Sequence, residues 1–428
     1  MKHQVKKIAV IGSGISGLAS AYFLQKKYQV TLFEAKNYLG GHTNTVEIEL
    51  EGKTQAVDTG FLVFNDKTYP NLIALFKELD VPSYATDMSF GVSLDDAKLE
   101  WAGTSLDTVF AQRKNLFSLS FLLMLKDILR FNRNAEQNLT ESENSKISLG
   151  TLLDQQNYNQ AFRDQYLIPM AAAIWSSSPK DILQFPASTF LRFCLNHALL
   201  QVNDRPQWRT VSGGARNYVR KIAATLTDVR LNCPVHTVRR NDHSVVINSV
   251  QGSEEFDAMI FATHAPDTLR MLSDASKDEN RLLSQVRYQA NIAYLHTDLN
   301  LMPRNRKVWS AWNYLSAKKN GDTGAQPVCV SYLLNQLQDL QIQTPVMVTL
   351  NPPEAPSVEK QLARFEYDHP IFDQPAIDTQ QELHRIQGQQ RTWFAGAWTG
   401  YGFHEDGLKS ALRVLRDFDA APFWSTAR

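Results

Sequence analysis

Residues 8–17, IAVIGSGISG, consist of a short apolar run that leads directly into three glycines spaced as GxGxxG. This order predicts a strand, a tight turn and the start of a helix. Gly12 suits the turn, Gly14 permits close approach of a diphosphate to the backbone, and Gly17 permits close packing of helix on strand. Free N–H groups at the helix N-terminus attract the same anion. The stretch therefore predicts a dinucleotide site.

A second apolar run, residues 30–33, ends in Glu34, about twenty residues past the glycines. A carboxylate at that place accepts hydrogen bonds from ribose hydroxyls and repels the 2′-phosphate of NADP. The N-terminal region is therefore expected to bind FAD or NAD. The cofactor contacts expected from it are Gly12, Gly14, Ile15, Ser16, Gly17, Glu34 and Ala35.

The C-terminal region separates FAD from NAD. Residues 393–398 read WFAGAW, residues 399–407 read TGYGFHEDG, and residues 408–418 are apolar at helical spacing. This pattern predicts a strand, a glycine-rich loop and a helix, although an ordinary strand-to-helix connection has the same pattern. A second set of backbone donors at a helix N-terminus suits the N1–C2=O edge of a reduced flavin. The pair of motifs therefore favours FAD.

Four separated blocks carry a family resemblance. They are the glycine motif with Glu34, residues 39–45 (LGGHTNT) with 57–60 (VDTG), Pro234-Val235 with the predicted strand 256–263, and residues 395–411. Together they resemble the flavin-containing amine oxidase, phytoene desaturase and protoporphyrinogen oxidase superfamily. The resemblance implies an α/β fold, with a Rossmann-like FAD-binding domain and a substrate domain of mixed sheet under a helical cap.

The resemblance also assigns residues to the cofactor. Gly40, Gly41 and His42 are implied along the diphosphate, and Val235 against the adenine. Further contacts implied by the same blocks are Thr59, Gly60, Ala262, Thr263, Gly396, Asp406 and Gly407, the last three near the ribityl chain and flavin ring.

Two positions depart from the superfamily pattern. His42 stands where many members have arginine, and Ala397 where many have an acid. The phrases at 168–176, 208–214 and 402–407 resemble a bacterial branch known as predicted NAD/FAD-binding proteins, often associated with cyclopropane-fatty-acid-synthase-like enzymes. That branch implies a fatty acyl chain or a modified lipid as substrate.

Composition narrows the function further. The 428 residues include 44 basic and 44 acidic side chains, and this balance gives no electrostatic reason to expect nucleic acid, which normally requires a basic face. Three scattered cysteines indicate neither disulfides nor a metal site, and none lies in the C-terminal block, so we expect non-covalent FAD and no metal. The N-terminus lacks the apolar stretch of a signal peptide, so a cytoplasmic protein is expected.

The chain is expected to divide discontinuously. Residues 1–75, 206–270 and 386–428 form the predicted FAD domain, 76–205 a mainly helical cap, and 271–385 the sheet of the substrate domain. Further expectations are a hairpin from 235–238 and 245–247, strands at 291–295, 308–312, 328–332 and 346–350, and surface loops at 134–146 and 316–326.

Catalytic residues are hard to identify because the flavin ring itself carries the redox chemistry. His404 is a candidate proton carrier or a plain backbone partner, Tyr401 shares its loop, and Trp398 forms either the pocket wall or plain core. Residues 116–129 form either a buried cap helix or a lipid-facing helix flanked by basic residues, and they are too short to span a bilayer.

The sequence thus predicts an FAD-dependent oxidoreductase that transfers a hydride between an apolar substrate and flavin N5. The substrate is expected to be a small molecule or lipid, with contact to the inner membrane surface left open. Alternatives are an amine oxidase, a flavin-bound lipid carrier or chaperone without turnover, and an enzyme that isomerises or saturates a double bond. The oligomeric state is open.

Overall fold

A computed structural model of the chain describes residues 5–175, 178–201, 205–316 and 329–425. The strands are β1 (Lys7–Ile11), β2 (Gln29–Phe33), β3 (Thr45–Leu50), β4 (Lys53–Asp58), β5 (Phe64–Asn65), β6 (Ser83–Ala85), β7 (Phe90–Leu94), β8 (Leu99–Ala102), β9 (Trp208–Val211), β10 (Asp228–Arg230), β11 (Val235–Arg240), β12 (Val245–Ser249), β13 (Gly252–Phe256), β14 (Ala258–Phe261), β15 (Tyr288–His296), β16 (Trp312–Leu315), β17 (Cys329–Leu333), β18 (Met347–Leu350), β19 (Gln361–Pro370) and β20 (Thr392–Phe394).

The α-helices are α1 (Ile15–Leu24), α2 (Pro70–Glu78), α3 (Leu106–Val109), α4 (Leu119–Arg133), α5 (Ala135–Ser145), α6 (Leu149–Gln155), α7 (Gln160–Phe162), α8 (Ile168–Trp175), α9 (Pro179–Gln184), α10 (Ala187–Asn196), α11 (Arg216–Ala223), α12 (Ala265–Met271), α13 (Lys277–Leu283), α14 (Leu334–Leu337), α15 (Gln374–Glu382) and α16 (His404–Asp417). A π-helical turn (Arg163–Leu167) joins α7 to α8, and 3₁₀ turns lie at Arg113–Phe117, Leu299–Leu301, Arg306–Val308, Val358–Lys360, Leu383–Arg385, Gln389–Arg391 and Ala397–Thr399.

A five-stranded parallel sheet holds the glycine motif. Its order is β10-β2-β1-β14-β20, so β1 lies at the centre. Residues 8–11 of β1 are fully enclosed, as a strand covered on both faces must be. Helices α1 and α16 pack against each other beside this sheet, which brings the N-terminal and C-terminal motifs together.

A seven-stranded mixed sheet forms the second layer, in the order β19-β15-β18-β17-β16-β7-β8. Its pairs are antiparallel except β16 with β7, which run parallel. The strands β7 and β8 come from the segment expected to be mainly helical. Strand β16 begins at Trp312 and not at Val308, because residues 306–308 form a 3₁₀ turn.

The described residues also form three smaller sheets. The predicted hairpin of β11 and β12 is confirmed, and β13 extends it to three strands. Strands β3 and β4 form a second hairpin, and β5, β9 and β6 a three-stranded sheet. Part of the predicted strand 328–332 and all but Ser316 of the predicted loop 316–326 lie outside the described residues.

Helices α3 to α10 build the cap around one apolar core that also receives Val92 and Val330 from the seven-stranded sheet. The predicted surface loop at 134–146 is wrong, because residues 135–145 form α5. Ala135, Asn138 and Ser142 recur at helical spacing and are buried, so the inward face of α5 is made of small and polar side chains.

Candidate functional site

One cavity of about 710 Å³ begins at the carboxyl ends of the parallel strands and reaches the seven-stranded sheet and the cap. The carboxyl edge of such a sheet is where doubly wound folds bind ligands. Most of the predicted cofactor residues line this cavity. They are Gly12, Gly14, Ile15, Ser16, Glu34, Ala35, Gly40, Gly41, His42, Thr59, Gly60, Val235, Ala262, Thr263 and Gly396.

The glycine motif fits a dinucleotide cofactor. A Cβ added at Gly12 would lie 2.7 Å from the carbonyl oxygen of Ala262, and one at Gly17 would lie 1.8 Å from that of Gly12. Both glycines are therefore required by the protein itself. A Cβ at Gly14 meets no protein atom within 4 Å, although Gly14 lines the cavity. Gly14 thus keeps clear the space that a diphosphate against the helix N-terminus needs.

The carboxylate of Glu34 lies beside the glycine turn. Its Oε2 accepts hydrogen bonds from the backbone N–H of Ser13 at 3.0 Å and from the Ser13 hydroxyl, and its Oε1 accepts one from the N–H of Lys36 at 2.8 Å. An ionised carboxylate has about four acceptor positions, so one stays available for a ribose hydroxyl. This geometry suits the adenosine half of the cofactor.

The loop at Gly40 and Gly41 lies directly on the glycine turn. The N–H of Gly40 donates to the carbonyl oxygen of Ser13 at 3.0 Å, and a Cβ at Gly41 would lie 3.1 Å from the Cα of Gly14. The backbone at both positions has positive φ, at 121° and 60°, which favours glycine. This contact places His42 next to the turn.

His42 belongs to a cluster of imidazoles on the cavity wall. Its ring centroid lies 5.4 Å from that of His369 and 6.5 Å from that of His264. Burial, followed by repulsion from His369 and His264, lowers the pKa of His42 well below its usual range. Its Nε2 is buried and has no hydrogen-bond partner among the residues that the structure describes. This nitrogen is available to an anionic group of a ligand.

The loop after β20 forms another part of the wall. The indole of Trp398 covers Gly396, where a Cβ would lie 2.5 Å from the ring, and its Nε1 donates to the carbonyl oxygen of Thr263 at 3.2 Å. Trp398 therefore belongs both to the core beside the sheet and to the cavity lining. Tyr401 also lines the cavity, and burial raises the pKa of its phenol.

His404 is the first residue of α16 and lines the cavity. Its Nε2 lies 2.8 Å from Oγ1 of Thr43, and its ring stacks on Phe61 with centroids 3.7 Å apart. Burial lowers the pKa of His404 to about 3. The imidazole is therefore neutral at physiological pH, which suits a fixed hydrogen-bonding group better than a proton carrier.

Three residues predicted as cofactor contacts do not line the cavity: Gly17, Asp406 and Gly407. Gly17 packs α1 on the glycine turn. Asp406 closes the first turn of α16 by accepting a hydrogen bond from the N–H of Phe403 at 3.1 Å. The carbonyl oxygen of Gly407 accepts one from the hydroxyl of Ser16 at 2.8 Å, so this glycine allows α16 to approach α1.

The far part of the cavity is apolar. Its walls come from β16, β17 and β18 of the seven-stranded sheet, from α8 of the cap and from the chain between β4 and β7, and none of the described cap residues that line it is charged. Glu366 and Asp368 of β19, in the same sheet, also line the cavity. Its apolar side chains are Leu62, Val63, Met88, Ile174, Trp175, Trp312, Tyr332 and Leu350. Such a wall suits a hydrocarbon substrate.

Several lining residues were not found by sequence reasoning. His264 lies three residues after the last residue of β14, near the carboxyl end of a central parallel strand, and that position is a usable signal. Tyr367 and His369 lie on β19, a strand rich in charged residues that alternation of apolar side chains does not reveal. Their place in the site depends on the non-local pairing of β19 with β15.

A sequence model of flavin containing amine oxidoreductases matches residues 15–416. The chain belongs to this family. It is therefore a flavin-dependent oxidoreductase, and the resemblance carried by the four sequence blocks is confirmed.

Two solved structures share the fold along nearly the whole chain. One is a CLA-producing fatty acid isomerase from P. acnes, with a TM-score of 0.70 and 14% identity over 98% of this chain and 99% of that one. The other is a putrescine oxidase with putrescine bound, with a TM-score of 0.66 and 16% identity over 97% and 99%. The predicted α/β, two-domain architecture is confirmed.

One curated relative is the carotenoid phi-ring synthase of Chlorobaculum tepidum. It is 33% identical over 127 residues, which make up 27% of this chain and 20% of that protein. The match thus covers about a fifth of the relative's length.

Proposed function

We propose that the protein transfers a hydride between an apolar substrate, a fatty acyl chain or a modified lipid, and N5 of a non-covalently bound FAD. The observation that carries this proposal is the single cavity. One part of it has the glycine motif and Glu34, and the other part has an uncharged wall from the cap. A dinucleotide and a hydrocarbon chain in this cavity meet near Trp398 and Tyr401.

The identity of the cofactor rests on both halves of its site. Glu34 disfavours a 2′-phosphate, and the loop from Gly396 to Tyr401 extends the cavity beyond a mononucleotide. Cys233 lines the cavity, but its backbone N–H donates to the carbonyl oxygen of Glu34, so it lies at the adenosine end. Cys194 and Cys329 are buried and do not line the cavity. These positions support a non-covalent flavin.

When bound, FAD would supply the hydride acceptor or donor, and the residues of this chain would bind the cofactor, orient the substrate and exclude water. Gly14 and the start of α1 hold the diphosphate, while Trp398 and Tyr401 limit where the substrate carbon can lie. The apolar wall removes water from the reacting carbon, since it offers few hydrogen bonds.

The names of two similar proteins support the substrate class. One is named for a fatty acid and the other for a carotenoid, and both compounds contain a long hydrocarbon chain. A putrescine oxidase shares the fold equally well, so an amine is the second candidate substrate and belongs in the same experiment.

The test is anaerobic reduction of the purified yellow holoprotein. Fatty acids, phospholipids and lipid extract from a deletion strain are added separately, and the flavin absorbance is followed. Bleaching by a lipid fraction, with the same compound accumulating in the deletion strain, supports the proposal. Bleaching by polyamines or aromatic amines alone would establish amine oxidation instead. A protein that binds acyl chains tightly without any redox change or isomerised product would be a carrier.

A variant of the cap wall links the chemistry to the cavity. Ile174→Gln places an amide in the apolar part, and Ile174→Leu is the matched control. We expect the glutamine variant to keep its flavin and to raise the lipid concentration for half-maximal reduction about tenfold, since burying a polar group without a partner is costly. Equal behaviour of the two variants would place the substrate elsewhere.

A further inference from the structure

Half of the strongly exposed large apolar side chains in the described part of the chain lie between residues 106 and 129. The exposed fractions are 90% for Phe117, 71% for Leu119 and 41% for both Leu122 and Leu123. Leu116, Leu106 and Leu129 are also exposed. Scattered exposed leucines are ordinary, but a contiguous group marks an interaction surface.

The helix α4 arranges these residues on one side. Its inward face is Phe121, Met124, Asp127 and Phe131, all buried in the cap. Its outward face carries Leu119, Leu122 and Leu123 and, one and two turns later, Lys126, Arg130 and Arg133. We call this outward side, together with Leu116 and Phe117, the α4 face.

The charges of the α4 face have one sign. The acid of α4, Asp127, points inward, where its Oδ2 accepts a hydrogen bond from the N–H of Asn159 at 2.9 Å. The nearest acid in the chain before it, Asp107, pairs with Arg113 and Lys307. Arg130 forms an ion pair with Asp127, since its Nε lies 3.1 Å from Oδ1, whereas Lys126 and Arg133 have no ion pair among the described residues. The face thus combines apolar side chains with two unopposed cations, a combination that fits the interface of an anionic bilayer.

The same surface fits a second copy of the chain poorly. A two-fold contact through α4 would bring the unpaired cations Lys126 and Arg133 of both copies close together. Spanning a membrane is also unavailable to α4, since among the described residues no helix is long and apolar enough to cross one. A helix of this kind lies in the plane of the interface.

The α4 face is also connected to the cavity through the cap. Helix α4 packs against α7 and the π-turn, and the π-turn continues into α8. Ile174 and Trp175, at the end of α8, line the apolar part of the cavity. A surface held on the bilayer by α4 is thus part of the same helical unit that forms the substrate wall.

We propose that the α4 face docks the protein on an anionic lipid bilayer. Phe117 and the leucines enter the acyl region, while Lys126 and Arg133 contact lipid phosphates. The proposal extends the proposed function but does not depend on turnover, because binding to vesicles is measured without a substrate.

The test is sedimentation of full-length holoprotein with vesicles of phosphatidylcholine alone or with roughly one-third phosphatidylglycerol. We expect binding to the anionic vesicles, weakened by salt. The double variant Leu119→Gln/Leu122→Gln should bind about tenfold more weakly. Lys126→Gln/Arg133→Gln should lose the preference for phosphatidylglycerol. Val358→Gln is the matched control, because Val358 is 89% exposed and lies on a distant 3₁₀ turn.

A fluorescent label reports the docked surface directly. The three cysteines of the chain are buried, so an environment-sensitive dye attaches at Phe117→Cys or, as a control, at Val358→Cys. A blue shift of the dye fluorescence on anionic vesicles at position 117, with no shift at position 358, supports the proposal.

Absence of vesicle binding by the wild-type holoprotein overturns the proposal. Equal vesicle binding by wild type and the double leucine variant, with unchanged flavin absorbance and melting temperature, also overturns it. A dimer that Leu122→Gln dissociates would identify a second copy as the occupant and would also overturn it.

Discussion

The Nε2 of His404 lies 2.8 Å from Oγ1 of Thr43, although 361 residues separate the two side chains. The same hydroxyl lies 2.6 Å from that of Tyr218. This contact joins the N-terminus of α16 to the loop that follows Gly41. The contact therefore joins two parts of the cavity wall, one from the N-terminal region of the chain and one from the C-terminal region.

Acid should destabilise the folded chain through His404. Its pKa is about 3 when folded and near 6.5 when unfolded, so the unfolded chain binds more protons between these values. Stability is therefore full above pH 6.5 and falls as pH decreases toward 3. The free energy of unfolding of His404→Gln should therefore fall less steeply with decreasing pH than that of wild type, by up to about 1.4 kcal/mol per pH unit. Urea unfolding of apoprotein from pH 7 to 4 measures it, with exposed His236→Gln as control.

Substitutions at Gly14, the N-cap of α1, and at Gly17, within α1, should affect cofactor binding and folding separately. Gly14→Ala should change the unfolding free energy of the apoprotein by less than about 1 kcal/mol, because its Cβ meets no protein atom. It should weaken FAD binding at least about tenfold, because the methyl group lies where a diphosphate approaches. Gly17→Ala should destabilise even the apoprotein by about 3 kcal/mol. Titration by flavin fluorescence and urea unfolding distinguish the two, and equal FAD affinity of Gly14→Ala and wild type would contradict the predicted site.

FAD affinity should depend on pH through His42. Burial, His369 and His264 keep its pKa low without a ligand, and Lys36 and His404 act in the same direction. A diphosphate close to Nε2 would raise this pKa, so binding would take up a proton. Affinity should then increase by up to about tenfold per unit as pH falls through the window between the two pKa values.

The matched variant for this prediction is His42→Arg. Its fixed charge should make FAD affinity nearly independent of pH, whereas His42→Gln should bind weakly at every pH. The dissociation constant of FAD is measured by flavin fluorescence between pH 5.5 and 8.5. Parallel pH curves for wild type and His42→Gln would contradict the prediction.

The buried ion pair of Arg240 should be worth far more than an exposed one. Its Nη2 lies 2.8 Å from Oε2 of Glu279, and the two side chains are 1% and 2% exposed. Arg240→Ala leaves a buried carboxylate uncompensated and should cost about 3–5 kcal/mol. Arg281→Ala, which removes an exposed pair with Glu382, should cost less than about 1 kcal/mol. Similar costs in urea unfolding would show that Glu279 finds water or another partner.

Most residues predicted to bind the cofactor line one cavity, and the sequence could indicate them because they follow local rules. A glycine turn between strand and helix has its own signature, and Glu34 stands at a fixed distance from it. The glycine-rich loop after β20 indicated Trp398 and Tyr401 in the same way, and both line the cavity.

The remaining features of the fold and the site could not be predicted because most of them depend on contacts between residues far apart in the sequence. Strand β7 pairs with β16 from more than two hundred residues away, so no local pattern revealed it. Helix α5 was not predicted because its buried face consists of one small apolar residue, Ala135, and two polar residues, Asn138 and Ser142. Asp406 stands at a position that suits a cofactor contact, yet its carboxylate caps α16.

The order of strands in the parallel sheet has a consequence for biosynthesis. The edge of β14 stays unpaired until β20, residues 392–394, has been translated, and five of the seven strands of the mixed sheet are made in between. Most of the polypeptide must leave the ribosome before the nucleotide-binding half can close. A chaperone that shields this open edge should therefore raise the yield of yellow protein more than added riboflavin does.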